Sequence, residues 1–208
     1  MNEKQEIINY KRKQVYKYFD NMTCPFTVLT IPLDITNIAN YCKVNKHYYA
    51  TIAWILVKAA NKIYEMRVRC ENEKFYLYDK MNIGFTEPLN NHVMGFFECE
   101  MKDNLKDFLS EFEMRHKMFL KEQKDITLSS AGVIWCNCEP WFETSALFPP
   151  FDASDHTQEF IWDKIKTENG KSTINLTIKF HHGYFDGEHL AAFLDILHEE
   201  IRNFNKEY

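Results

Sequence analysis

Ile174-Asn175-Leu176-Thr177-Ile178-Lys179-Phe180-His181-His182-Gly183-Tyr184-Phe185-Asp186-Gly187 is the stretch from which the rest of the chain can be read. Ile174, Leu176, Ile178 and Phe180 alternate with Asn175, Thr177 and Lys179, the period of a strand with one apolar face. His182 falls in register with the apolar set and His181 with the polar set. The strand therefore ends by directing one imidazole into the protein, or toward whatever packs on that face, and its neighbour to the other side. Two glycines bend the chain just after, and Leu190, Phe193, Leu194, Leu197 and Ile201 then mark a helix to about Phe204. A histidine so placed suits a catalytic base or a core residue bonded to backbone, and this stretch alone leaves both open.

Upstream, the same reading gives a short helix within Tyr10 to Phe19 and a β-type run from Phe26 to Ile31. Ile52, Ile55, Leu56, Ala59, Ala60 and Ile63 make Tyr48 to Glu65 an amphipathic helix. Arg67 to Cys70 and Lys74 to Tyr78 form a hairpin around Glu71-Asn72-Glu73. Ile83 to Thr86 and Val93 to Cys99 are strands joined through a turn at Pro88 and Asn90-Asn91. Leu105, Phe108, Leu109, Phe112 and Phe119 define a helix over Asp103 to Lys121, capped at Asp103 or Asn104, with Arg115, His116 and Lys117 on a solvated face. Ala131 to Cys138 and Phe160 to Ile165 are strands, and residues 142–155 between them read as a loop. With no repeat or linker, residues 1–208 form a single domain of α+β class, a two-layer sandwich with helices packed on a mixed, mainly antiparallel sheet.

Composition narrows the function. The formal charge of -5, with 25 Lys+Arg against 30 Asp+Glu, argues against a nucleic-acid partner. No apolar run reaches the roughly 20 residues that span a bilayer and the N-terminus lacks a signal-peptide core, so a soluble, cytoplasmic chain with free thiols is expected and no membrane partner. Neither a glycine-rich phosphate loop nor a G-x-S-x-G elbow occurs, and no spacing completes a zinc site. What remains is a histidine base with neither a metal nor a dedicated nucleophile, which suits direct acyl transfer to a substrate hydroxyl.

The motif His181-His182-Gly183-Tyr184-Phe185-Asp186-Gly187 resembles the HHxxxDG signature of the chloramphenicol acetyltransferases, shared with dihydrolipoyl acyltransferase cores and peptide-synthetase condensation domains. The likeness to the first group runs along nearly the whole chain: Arg12, Leu33-Asp34-Ile35-Thr36, Asn45-Lys46-His47-Tyr48-Tyr49, Glu65-Met66-Arg67, Pro140-Trp141, and His189 after Gly187. It implies an acetyl-CoA-dependent O-acetyltransferase acting on chloramphenicol or a similar hydroxylated small molecule, an antibiotic-resistance activity. It also implies a homotrimer with active sites between subunits. His182 would be the general base, and Asp186 a structural carboxylate paired with Arg12, whose loss would strand a buried charge at roughly 3–5 kcal/mol. Ser145 would donate to the oxyanion, with Thr144 as the fallback. Tyr18 and Phe19, with Phe26 behind them, would line the acceptor pocket, and Lys164 and Lys46 would lie near the cofactor's phosphates.

Departures accompany the match. Ile161 and Ile165 replace a threonine and a tyrosine of the family, Glu188 replaces an aromatic, and Tyr184 and Phe185 replace small residues, which is expected to reshape the pocket. Two alternatives stay open: a non-catalytic trimeric binding protein of the same fold, and an acyltransferase for another alcohol or a thiol.

Overall fold

The computed structural model describes residues 3–128, 132–150, 152 and 156–207. Ala131 and positions 151 and 153–155 of the expected loop lie outside the described residues. The strands are β1 (Lys4–Glu6), β2 (Phe26–Asp34), β3 (Val68–Glu71), β4 (Lys74–Tyr78), β5 (Asn82–Pro88), β6 (Met94–Cys99), β7 (Val133–Glu139), β8 (Gln158–Asp163), β9 (Lys166–Glu168) and β10 (Lys171–His181). The helices are α1 (Lys13–Asp20), α2 (Thr36–Asn45), α3 (Tyr48–Ala60), α4 (Leu105–Glu122) and α5 (Gly187–Glu207). The large sheet runs β2-β10-β8-β7-β5-β6, with β9 beside β10, and a small sheet runs β1-β4-β3. Only β5–β7 and β7–β8 are parallel, so the sheet is mixed and mainly antiparallel, as the alternation implies. No helix among the described residues is long and apolar enough to cross a membrane.

The core lies between the large sheet and α2 to α5. Phe85, Cys136, Phe160 and Ile178 are cross-strand neighbours on one face, each at most 1% exposed. Helices close over that row: Tyr49 of α3 and Phe112 of α4 meet Phe85 at 5.0 and 5.1 Å, and Phe193 of α5 stacks on Phe160 at 5.4 Å. Burial of each such phenylalanine contributes about 1.5–3 kcal/mol, so this row commits the sheet to one register.

β10 is more enclosed than its alternation suggests. Thr177, Lys179 and His181 of its polar set are buried along with the apolar set. The first two meet partners on neighbouring strands: Thr177 Oγ1 lies 2.7 Å from Thr30 Oγ1, and Lys179 Nζ lies 3.6 Å from Glu159 and over the Phe26 ring. Asn137 carries the row onward, donating to Glu159 and accepting from Thr86. The buried row from Thr177 and Lys179 to Asn137 is tolerated because each of these members is hydrogen-bonded or paired.

Other elements depart from the sequence pattern for local reasons. α3 ends at Ala60 and not at Glu65, because the Asn61 side chain turns back to bond Met81 N–H and C=O, and a short 3-10 turn at Glu65–Arg67 follows. α2 carries too little apolar periodicity to be read in advance, yet it buries Ile38, Ala39 and Cys42. Arg115 and His116 are not on a solvated face: His116 stacks on Phe112 and meets Glu87 at 2.9 Å, while Arg115 donates to Glu111.

Candidate active site

At the carboxyl end of β10 the two histidines part. The rings of Phe180 and His182 lie nearly parallel, 6.3 Å apart, which confirms their shared face. Depth, however, is the reverse of the sequence expectation: His181 is wholly buried and His182 half-buried. The chain leaves the sheet at this point, so the ring in register with the core sits at its rim, while His181 lies beneath Tyr16, Tyr184 and His156.

Three contacts fix His182. Its backbone N–H donates to Pro25 C=O at 2.8 Å, Nδ1 lies 3.0 Å from Thr27 Oγ1, and Phe19 meets its ring edge-on at 4.4 Å. Thr27 is legible only through strand pairing, since it stands opposite Phe180 on β2. Tyr18 packs edge-on against Phe19 but is mostly exposed, and Phe26 meets the edge of His181 instead of His182.

The loop beyond His182 is held from several directions. Arg12 Nη1 donates to Asp186 Oδ2 at 3.0 Å, and its Nε donates to Gly183 C=O at 3.3 Å. Asp186 Oδ1 accepts from Glu188 N–H, capping α5, and lies 2.8 Å from His189 Nδ1. Burial pushes the Asp186 carboxyl up, but the bonds from His189 and Arg12 outweigh it and hold the group below its ordinary range. Because the Asp186 side chain is 38% exposed, the 3–5 kcal/mol expected for a stranded buried charge is an overestimate. Gly183 is required by close approach: a Cβ there would lie 2.7 Å from Tyr16 Cα and 2.9 Å from His181 Cε1.

Tyr184 and Phe185 were expected to reshape the pocket; both turn inward and are fully buried. The Tyr184 hydroxyl accepts from Cys70 N–H at 2.8 Å, tying the loop to the small sheet, and Phe185 stacks on Phe180 at 4.1 Å. Core packing absorbs the larger residues.

The remaining candidates gather elsewhere. Asp163 at the end of β8 accepts from Thr144 N–H, and Asn175 Nδ2 donates to Thr144 C=O, so the segment bearing Ser145 is fastened to the amino half of β10. Ser145 is exposed, and seven residues of extended chain, about 23 Å, separate Asn175 from His182. One chain does not bring the serine to the histidine. Beside this segment lies a cavity of about 930 Å³ walled by Tyr48, Tyr49, Trp141 and Phe148, with Ile161, Lys164 and Ile165 along it. Lys46 does not line it; it is exposed at the end of α2, two residues before Tyr48.

The chloramphenicol acetyltransferase family model matches residues 1–198. A chloramphenicol acetyltransferase of Clostridioides difficile is 26% identical over 209 residues, covering 93% of this chain and 92% of the relative. One of Clostridium perfringens is 25% identical over 211 residues, covering 94% and 96%. A solved chloramphenicol acetyltransferase structure aligns with a TM-score of 0.79 at 16% identity over 97% of this chain and 100% of its own, a likeness of fold.

Proposed function

Because the chain belongs to the chloramphenicol acetyltransferase family, we propose that it transfers the acetyl group of acetyl-CoA to a hydroxyl of chloramphenicol or a similar small molecule, with His182 as general base. The observation that carries this reading is the His182 ring itself, open at the rim of the sheet and held by Thr27, Phe19 and the Pro25 carbonyl. When Thr27 accepts from Nδ1–H, the lone pair is left on Nε2, where a base needs it. The acceptor O–H gives its proton to Nε2 as its oxygen attacks the thioester carbonyl. The tetrahedral intermediate then expels the CoA thiolate, which takes that proton back, leaving the acetyl ester and CoA thiol.

Ser145 is the donor to the tetrahedral oxyanion and belongs to the cavity end of the molecule. The aromatic walls of the cavity suit the pantetheine arm, and Lys164 suits the phosphates; Lys46 is assigned to the same ligand by the family likeness alone. Since Ser145 and His182 of one chain stand apart, each active site joins His182 of one copy to Ser145 of another in a homotrimer, with Tyr18 and Phe19 facing the acceptor. The test is release of CoA thiol from acetyl-CoA on addition of chloramphenicol. Release with other alcohols but not with chloramphenicol would remove only the acceptor assignment, and no release with any hydroxylated compound would remove the reading.

A further inference from the structure

Behind His182, on the other face of β10, lies a group of side chains that the proposed reaction does not use. Tyr16 and Asp20 come from α1, His156 from the segment before β8, and His181 from β10 itself. Tyr16 Oη is 2.9 Å from His156 Nδ1, His156 Nε2 is 3.1 Å from Asp20 Oδ1, and His181 Nε2 is 3.6 Å from the same oxygen. Gly183 N–H donates to His181 Nδ1 at 3.0 Å.

One assignment of protons satisfies every contact. The backbone N–H of Gly183 can only donate, so His181 Nδ1 is bare and its proton is on Nε2, facing Asp20. Burial, reinforced by the neighbouring Tyr184, pushes the Tyr16 phenol far up, so it keeps its proton and donates to His156 Nδ1. His156 then carries its proton on Nε2 and donates to Asp20. The buried His181 ring is neutral, because burial and then the nearby His156 lower it to about 4. His181 Nε2 is fully buried without a partner inside hydrogen-bond distance, and Asp20 Oδ1 is the acceptor it points at.

We propose that Asp20 is a positioning residue for the acyl transfer: it accepts from His156 and faces His181 Nε2 across 3.6 Å, and so ties α1 to the loop that carries His182. The coupling acts on His182 from two sides. Asp20 follows Phe19, whose ring walls His182, and His181 precedes His182 while holding Gly183 N–H on its far side. A shift of either element displaces the base from the acceptor hydroxyl, and displacements of an ångström lower rates steeply. A carboxylate with two imidazoles is also a ligand set of the kind that holds divalent metals. The Gly183 bond argues against it, because metal binding at Nε2 would require the proton on Nδ1, against Gly183 N–H.

The proposal rests on the acyltransferase reading, and its test has one arm that does not. In that arm, imidazole 15N spectra of the purified protein should show His181 with bare Nδ1 and a slowly exchanging Nε2–H in the wild type and in Asp20→Asn, which keeps an acceptor oxygen. Asp20→Ala should lose that protected proton. In the kinetic arm, Asp20→Ala should lower kcat about 10–100-fold with the KM for acetyl-CoA within about twofold, and Asp20→Asn should recover most of the rate. Should Asp20→Ala not fold, His156→Gln breaks the same chain at a half-buried position and is expected to lower kcat in the same way.

The proposal is overturned by a His181 protonated on Nδ1, or by Asp20→Ala retaining both the wild-type kcat and the protected proton. It is equally overturned by tight one-to-one binding of Zn²⁺ that Asp20→Ala and His156→Ala abolish, which would make the cluster a metal centre. Absence of turnover with any acceptor would remove the acyltransferase reading while the spectra still decide where the His181 proton lies.

Discussion

The two ends of β10 are built differently. At its carboxyl end His182 is held by backbone, by Thr27 and by Phe19, and the loop behind it by Arg12 and by Asp186 as cap of α5, all within one chain. At its amino end Asn175 and Asp163 anchor the Thr144 backbone, while Ser145 stands exposed beside an open cavity. The difference shows how the proposed active site is divided: in that reaction one end would supply the base, the other the oxyanion donor and the channel for acetyl-CoA. Either end alone is chemically incomplete.

The largest expected effect breaks the finished end. His182→Ala should reduce CoA-thiol release by at least about 10³-fold with little change in thermal midpoint, because the ring is half-buried at the rim and removing it opens no sealed cavity. An activity loss matched by a fall in midpoint would assign the ring to the core instead.

Next comes the incomplete end. Ser145→Ala should cost about 10²-fold in kcat if its hydroxyl meets the oxyanion. Co-refolding His182→Ala with Ser145→Ala then separates one-chain from two-chain sites: random trimers pair an intact His182 with an intact Ser145 in about one quarter of sites, restoring about a quarter of wild-type activity. No recovery would place both residues in the same copy's site.

How much of this was legible follows from what carries it. The strand, the hairpins and α5 were readable because their apolar residues recur at period two or at helical spacing, and the burial of Phe85, Phe160 and Phe193 obeys that pattern. α2 was not, since Ile38, Ala39 and Cys42 are too few to mark a stripe among polar neighbours. His182 and the Arg12–Asp186 pair were readable through the motif and the family likeness. Thr27 and Asp20 were not, because each meets its histidine across more than 150 residues of sequence, and only strand pairing or the docking of α1 brings them there. The inward turn of Tyr184 and Phe185 depends on the backbone path after Gly183, which residue size does not reveal.

A smaller effect reads the burial of His181 through pH. His181 has its folded pKa lowered to about 4 from an ordinary 6.5, so between those values the unfolded chain binds a proton that the folded one refuses. Its contribution is fully present above about pH 6.5 and is lost progressively as pH falls toward 4, amounting to roughly 3 kcal/mol. Urea midpoints measured from pH 7 to pH 4.5 should fall more steeply for the wild type than for His181→Asn. Equal slopes would mean that His181 titrates like an exposed ring.

The smallest effect tests how closed the finished end is. Arg12→Ala removes the bonds to Asp186 and Gly183 C=O but leaves Asp186 its contacts with His189 and the first turn of α5. With a carboxylate still partly in water and still partnered, the expected loss is about 1–2 kcal/mol in urea unfolding, between the surface and buried limits for an ion pair. A measured loss of about 3–5 kcal/mol would carry a different meaning, because only a carboxylate shut away from solvent costs that much when its partner goes. It would place a second copy over the Asp186 loop, closing in the assembly what is 38% open in the single chain.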